Sequence, residues 1–334
     1  MRAHDGRRGR LPWILAVGAP TLLLWAGGAG AAQKVLFSTD FGYNGRHAYY
    51  FVALEQGFYR DAGLDVEILR GSGSADVIRT VASGKIQMGF ADAGTLVIAR
   101  TNQNLPVKEV AMVYTRPPHA IFCHEDAQVR APKDLEGKTI ADTAGSSNPA
   151  MFPALARAAG VDKDKVKWIV ADSASLPAML VSRQVDCVAQ YSVGQALLER
   201  RVAPKKLTRI LYADAGLDFY SNGLAATDSL IKEQPDLVRR FVAATLRGME
   251  AAFADPGEAA RIMNKAHPEV DVAIAKAEVE AVHEIAVSPL TRAHGLGYID
   301  RQRMEHTRDV VAEAFNLPRR IPVEDLYAPG FAGK

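Results

Sequence analysis

Eight residues, Asp40-Phe41-Gly42-Tyr43-Asn44-Gly45-Arg46-His47, place an amide, an imidazole and two aromatic rings in one loop. The loop follows a short apolar strand, Val35-Leu36-Phe37, and runs into an amphipathic helix beginning near Tyr50. In open α/β sheets the crevice beyond the strand ends is where ligands bind. Asn44 can both donate and accept hydrogen bonds, which suits the edge of a heterocycle. Phe41 and Tyr43 can stack a flat ring, or else pack in the core. His47 either touches a ligand or packs beneath the loop. This is the chemistry of recognition. The sequence has no Gly-x-Ser-x-Gly elbow, no His-Glu-x-x-His and no Gly-x-x-x-x-Gly-Lys-Ser/Thr. His119 and His124 flank Cys123, but their spacing puts them on opposite faces of a strand, so no metal site is expected there.

Further candidates lie at other strand ends. Ser72, Ser74, Asp92 and Thr95 follow two of them; Ser74 and Asp92 are equally suited to capping the helices that start there. Ser146, Ser147 and Asn148 open another helix, whose backbone N–H groups suit an anion, and Arg116 could pair with such an anion or simply face solvent at a chain crossing. Tyr191 could meet a ring from a second lobe, while Phe219 and Tyr220 could close the side of the cleft; core packing is the alternative for each.

Strand and helix signals alternate through most of the chain. Ser74 is expected to cap a helix with Val77, Ile78 and Val81 buried and Gly84 at its end. Ile86, Met88 and Phe90 alternate as a half-buried strand. Strands are also expected at 110–114, from Ile121, at 139–141, 166–170 and 185–188, with Pro149 at the first position of a helix. Helices are expected at 237–253, 273–285 and 301–315. A weak internal echo relates Ser83–Met88 to Ser182–Cys187 and Pro106–Tyr114 to Pro204–Tyr212, as two similar α/β units would. Chain crossings at 115–119 and 213–221 divide the chain into one lobe of residues 33–115 and 219–334 and another of 116–218, with a hinge between. Cys123 and Cys187 fall in the same lobe and could pair or remain buried thiols; the sequence leaves both open.

The first 32 residues are expected to be a cleaved signal peptide. Arg2, Arg7, Arg8 and Arg10 precede an apolar run from Leu11 to Ala26, and Ala29-Gly30-Ala31 is a small-residue cleavage pattern. An uncleaved anchor is the alternative, and Arg7-Arg8 leaves twin-arginine export open beside the general route. The 334 residues carry 40 Lys and Arg against 38 Asp and Glu, a formal charge of +2 that rests on the leader's arginines. Without a basic patch, nucleic acid is not an expected partner.

Several segments resemble one known family. They are the loop 40–47, Tyr50–Tyr59, Gly63-Leu64-Asp65-Val66-Glu67, Gly84–Gly89, Pro132–Lys138 and Gly145-Ser146-Ser147. The family is the thiamine-pyrimidine-precursor-binding-like (NMT1/THI5-like) group of ABC-importer substrate-binding proteins, with sulfonate-, taurine- and nitrate-binding relatives. The resemblance implies an α/β fold of the type II periplasmic binding protein kind, two lobes with a ligand cleft and a two-strand hinge. It implies a periplasmic, monomeric solute-binding protein that serves an ABC permease in the inner membrane. The expected ligand is a small planar pyrimidine-like heterocycle; a sulfonate, taurine, nitrate or carboxylate anion is the alternative. No cofactor, metal or catalysis is expected. A ligand sensor and a pyrimidine-synthesising enzyme are the other functional classes of this fold, the enzyme depending on a cysteine cluster absent here. The chain departs from the family pattern at Phe41, at Tyr43 and at Gln190-Tyr191-Ser192, where an acidic residue often stands near an aromatic one.

Overall fold

The computed structural model describes residues 32–333, so the leader assignment lies outside the described residues apart from Ala32. Ten strands form two five-stranded sheets. The first sheet takes β1 (Gln33–Ser38), β2 (Leu64–Leu69), β3 (Met88–Asp92), β4 (Val107–Met112) and, after a long excursion, β10 (Asn222–Thr227). The second takes β5 (His119–His124), β6 (Thr139–Asp142), β7 (Lys167–Val170), β8 (Cys187–Tyr191) and β9 (Leu207–Leu211). Their orders are β2-β1-β3-β10-β4 and β7-β6-β8-β5-β9. Strand for strand these are the same arrangement. Three parallel strands are followed by a strand that enters antiparallel from the other sheet, β10 in one and β5 in the other.

The internal echo maps onto this duplication. Ser83–Met88 leads into β3 and Ser182–Cys187 into β8, the equivalent strands. Gly84 and Arg183 hold the same left-handed turn, at φ 74° and 59°. Pro106 and Pro204 stand just ahead of β4 and β9, which are also equivalent. The chain crosses between sheets at 113–118 and 212–221.

β3 is buried along its whole length, not half-buried as its alternation suggested. Helices cover both faces of a mostly parallel sheet, so alternation no longer marks a solvent side. On one face Phe90 packs edge-on against Tyr50. On the other, Gly89 lets the Ser74–Ala82 helix approach so closely that a Cβ would lie 2.5 Å from Val77 Cγ1. Ser74 is not the cap of that helix. Gly73 occupies the cap position and Ser74 Oγ accepts from Asp92 N at 3.1 Å, tying the helix start to the end of β3. Pro149 is the third residue of its helix, Ser147–Ala159, and Ser146 is the cap, accepting from Asn148 N at 3.2 Å. The C-terminal helices are Pro235–Ala254, Val272–Ala286 and Arg301–Ala314, each within two residues of expectation. The last packs against both the Ala93–Gln103 helix and the Ser147–Ala159 helix.

Cys123 and Cys187 are directly opposite each other in the β5–β8 ladder, with Cα atoms 4.1 Å apart, and form a disulfide. No helix among the described residues is long and apolar enough to cross a membrane. The disulfide closes a loop spanning 64 residues, so its loss enlarges the unfolded ensemble. Replacing both cysteines by alanine is expected to lower unfolding stability by about 2–4 kcal/mol. Urea melts of the two proteins under non-reducing conditions measure this, and coincident melts would contradict it.

Candidate functional site

The carboxyl ends of the parallel strands converge on a cleft between the sheets. Asp40 and Phe41 follow β1, Asp92 ends β3, Asp142 ends β6 and Tyr191 ends β8. Two connected spaces occupy the cleft. An inner chamber of about 20 Å³ is bounded by Asp40, Arg46, Ser74, Ser147, Asn148 and Tyr191, among others. An outer groove of about 980 Å³ is bounded by Tyr43, Arg70, Ser173, Arg200, Asp271 and Glu278, among others. Phe41, Asn44, Gln190 and Gly194 border both.

The wall of the inner chamber is organised around Asp40. Its Oδ1 accepts from Arg46 Nη2 at 3.1 Å and pairs with His47 Nε2 at 2.8 Å, while Oδ2 accepts from Asn222 Nδ2 at 2.9 Å. Asn222 Oδ1 in turn accepts from the Tyr191 hydroxyl at 2.7 Å, and Ser147 Oγ lies 2.5 Å from that hydroxyl. Tyr191 donates to Asn222, so Ser147 must donate to Tyr191. The chain of bonds therefore joins the second sheet to the first. The Arg46 guanidinium stands 4.9 Å from the Tyr191 ring centre and 5.4 Å from that of Phe41, within cation–π range.

Burial would raise the Asp40 carboxyl, but Arg46 and the His47 bond outweigh it and hold Asp40 below its ordinary range. Burial would likewise lower Arg46; Asp40 reverses this and raises it. His47 is pulled down to about 4 by burial, against the pull of Asp40. At neutral pH it is an uncharged imidazole donating from Nε2, which leaves Nδ1 without a partner. Asp142 is pushed up to about 7 by burial, although Ser146, Thr143 N and Asn148 all donate to it. Glu278 is also pushed up to about 7 by burial, against the bond from Gly45 N at 2.6 Å.

Seven of the expected residues meet at the inner chamber: Phe41, Asn44, Ser74, Ser146, Ser147, Asn148 and Tyr191. Tyr43 lines the outer groove, where its hydroxyl donates to Ile68 O and its ring lies 4.0 Å from that of His267. The others stand elsewhere, among them Tyr220, which is buried with its hydroxyl accepting from Asp300 N at 3.0 Å. His47 is fully buried beneath the loop and reaches the chamber only through Asp40. Asp92 is fully buried and caps the Ala93–Gln103 helix through Thr95 N, with Thr95 Oγ1 as a second donor to the same oxygen. Ser72 is exposed and donates to Asp76. Arg116 is exposed at the crossing and donates to Glu284 O, so it faces no cleft anion. Phe219 is fully buried against His119. Arg46 and Asn222 escaped the sequence analysis. Arg46 lay inside the segment singled out, one residue from His47, whereas nothing local marks Asn222, which arrives on a strand more than 180 residues downstream.

The lobes also meet backbone to backbone. Ala75 N donates to Gly145 O at 3.1 Å, and a Cβ on Gly73 would lie 2.0 Å from Gly145 C. Farther out, Arg70 Nη2 donates to Ser173 Oγ at 2.8 Å.

Two equivalent sheets around a cleft at their strand ends are the periplasmic binding protein fold. The alkanesulfonate-binding protein of Xanthomonas axonopodis pv. citri, solved with MOPS bound, superposes with a TM-score of 0.71 at 13% identity, over 89% of this chain and 99% of that one. A protein of Bordetella bronchiseptica superposes at 0.73 and 20% identity, over 91% and 96%. The profile of the NMT1/THI5-like family matches residues 44–259, and the chain belongs to that family. Among curated relatives, the riboflavin-binding protein RibY of Chloroflexus aurantiacus is 28% identical over 94% of this chain and 90% of its own length. The formylaminopyrimidine-binding protein of Halalkalibacterium halodurans is 25% identical over 70% of each. A 4-amino-5-hydroxymethyl-2-methylpyrimidine phosphate synthase of Saccharomyces cerevisiae is 23% identical over 69% and 70%, so the relatives include binding proteins and an enzyme.

The buried carboxyls give the fold a pH signature. Asp142 and Glu278 ionise near 7 in the folded chain against ordinary values of 3.8 and 4.5. Between those values the native state holds the extra protons, so stability falls as pH rises through that window. His47 works the other way between about 4 and 6.5, because there the unfolded chain holds the proton. Glu109, fully buried with neither carboxylate oxygen bonded, is raised by burial and adds to the first group. His119 and His267 are also lowered by burial, so the imidazoles act against the carboxyls up to about 6.5, and above that only the carboxyls still titrate. The melting temperature is expected to fall from pH 6.5 to pH 8, and Asp142→Asn to flatten the slope. A melting temperature that rises across this range, read by differential scanning fluorimetry, would refute the assignment.

Proposed function

We propose that this protein is a periplasmic solute-binding protein of an ABC importer and that its two lobes close on a small planar heterocycle of the pyrimidine class. The observation that carries this is Asn44. Its Oδ1 is buried without a hydrogen-bond partner at the junction of the two spaces, with Phe41 beside it and Tyr191 presented from the other sheet. An acceptor on a wall shared with an aromatic side chain fits the N–H edge of a flat ring. The outer groove is of the size that encloses a small organic ligand.

Closure follows from the same layout. The outer groove is lined from both lobes, taken as 33–115 with 219–334 and 116–218, so a ligand there is enclosed as the lobes approach. A ligand that touches Asn44 and Tyr191 together does so only when they approach, and this difference in contact drives closure. The closed monomer is then what the permease reads. The relatives named for riboflavin and formylaminopyrimidine binding support a ring ligand. Against an enzyme of the synthase kind, both cysteines of the chain are committed to one disulfide.

A thermal-shift screen of the chain from residue 33 tests the ligand class. A rise with pyrimidines or flavins is expected, since a ligand that binds only the folded state raises the melting point by mass action; turnover of a bound pyrimidine would point instead to the enzyme class. Tyr191→Ala is expected to weaken binding by about 1–3 kcal/mol. Unaltered affinity in a folded variant would remove Tyr191 from the site. Asn44→Ala is expected to alter the ranking of close analogues; equal losses for all of them, by calorimetry, would reduce Asn44 to a loop-shaping role.

A further inference from the structure

The inner chamber, at about 20 Å³, has room for roughly one water-sized group. It cannot hold the ring, yet it opens onto the groove that can, through Phe41, Asn44 and Gln190. Two helices begin on its walls, Ser74–Ala82 from one lobe and Ser147–Ala159 from the other. Ala75 N and Asn148 N are already bonded, to Gly145 O and Ser146 Oγ, and Pro149 has no N–H, but both helix starts carry partial positive charge. A second, independent feature lies beside them. The Arg46 side chain is only 5% exposed and lines the chamber; Nη2 is engaged by Asp40, while Nη1 has no hydrogen-bond partner. The nearby Tyr114 hydroxyl also makes no hydrogen bond of acceptable geometry.

The carboxylates at the chamber are already served. Asp40 receives Arg46, His47 and Asn222, and Asp142 receives Thr143 N, Ser146 and Asn148. The chamber wall is thus left with one buried cation's N–H, Arg46 Nη1, and one buried acceptor, Asn44 Oδ1, both without a partner. We propose that the chamber accepts one electron-rich oxygen of the ligand, a carbonyl or an anionic oxygen, and that Arg46 is the residue that selects for it. This rests on the heterocycle assignment above and sharpens it: the ring stays in the outer groove against Asn44 and projects its oxygen inward. A ring bearing only amino groups on that edge would set N–H against N–H and be rejected.

Calorimetric titration of matched pairs tests this. Formylaminopyrimidine is compared with the same ring lacking its formyl group, and orotate with uracil. The member with the additional carbonyl or carboxylate is expected to bind at least ~10-fold more tightly, because a site built from buried polar groups discriminates strongly against a ligand that leaves them unpaired. Arg46→Met, shown folded by circular dichroism, is expected to bring the ratio below about 3-fold, and Arg46→Lys, which keeps the charge but loses the planar fork, to give an intermediate ratio. If the rings bind with a ratio near one, or the ratio survives in folded Arg46→Met, the proposal fails while the heterocycle assignment stands. If Arg46→Met does not fold, the wild-type ratio and Arg46→Lys decide by the same criterion. If no ring binds, the heterocycle assignment fails, and inorganic sulfate, which can seat one oxygen in the chamber from the groove, then tests the Arg46 site. A sulfate-induced thermal shift that Arg46→Lys preserves and Arg46→Met abolishes supports the anion site; no shift overturns it.

Discussion

A buried carboxylate is costly unless its surroundings compensate it fully, and Asp40 is the point at which this protein meets that demand. Arg46, His47 and Asn222 all bond to it, and each comes with obligations. Arg46 must stay where its guanidinium flanks Phe41 and Tyr191. His47 must remain neutral and Nε2-protonated. Asn222 must be delivered by a strand from the far end of the chain and oriented by Tyr191. The shape of the cleft wall is thus the geometry needed to keep one charge buried, and the free Nη1 of Arg46 and free Oδ1 of Asn44 are what that geometry leaves available.

The duplication explains how such a network can span two lobes. Each sheet lends its crossing strand a central position, so β10 and β5 are buried throughout and rigid. Asn222 opens β10 and Tyr191 closes β8, placing both at the cleft edge of a packed strand and not in a mobile loop. The Cys123–Cys187 bond fastens β5 to β8 within the second sheet, which fixes the strand carrying Tyr191 to the strand entering from the first lobe.

Local signals in the sequence carried most of this architecture. Hydrophobic runs bounded by turn formers located most strands, though not β2, nor β10, which falls where the chain after residue 220 reads as mostly helical, and the echo of Ser83–Met88 in Ser182–Cys187 anticipated two equivalent sheets because both segments make the same left-handed turn before the same strand. The site was legible wherever its residues followed a strand directly, as with Phe41, Asn44 and Ser146–Asn148. It was obscured where one residue type serves two purposes. Asp92 and Thr95 have the composition of a polar pocket and form a helix cap. Phe219 has that of a stacking ring and fills the core. Asn222 and the pairing of Cys123 with Cys187 depend on register between strands distant in sequence, which no local pattern encodes.

The contact between Gly73 and Gly145 gives the cleft a hard mechanical stop. Main chain meets main chain there with no side chain between, so nothing compressible separates the lobes at that seam. On the proposed closure, backbone sterics as well as the ligand would set the limit, with one end point for every ligand. A molecule that demanded a wider separation would forfeit the seam's hydrogen bond from Ala75 to Gly145. Size selection is in this sense exercised at a position outside the groove where the ring would lie.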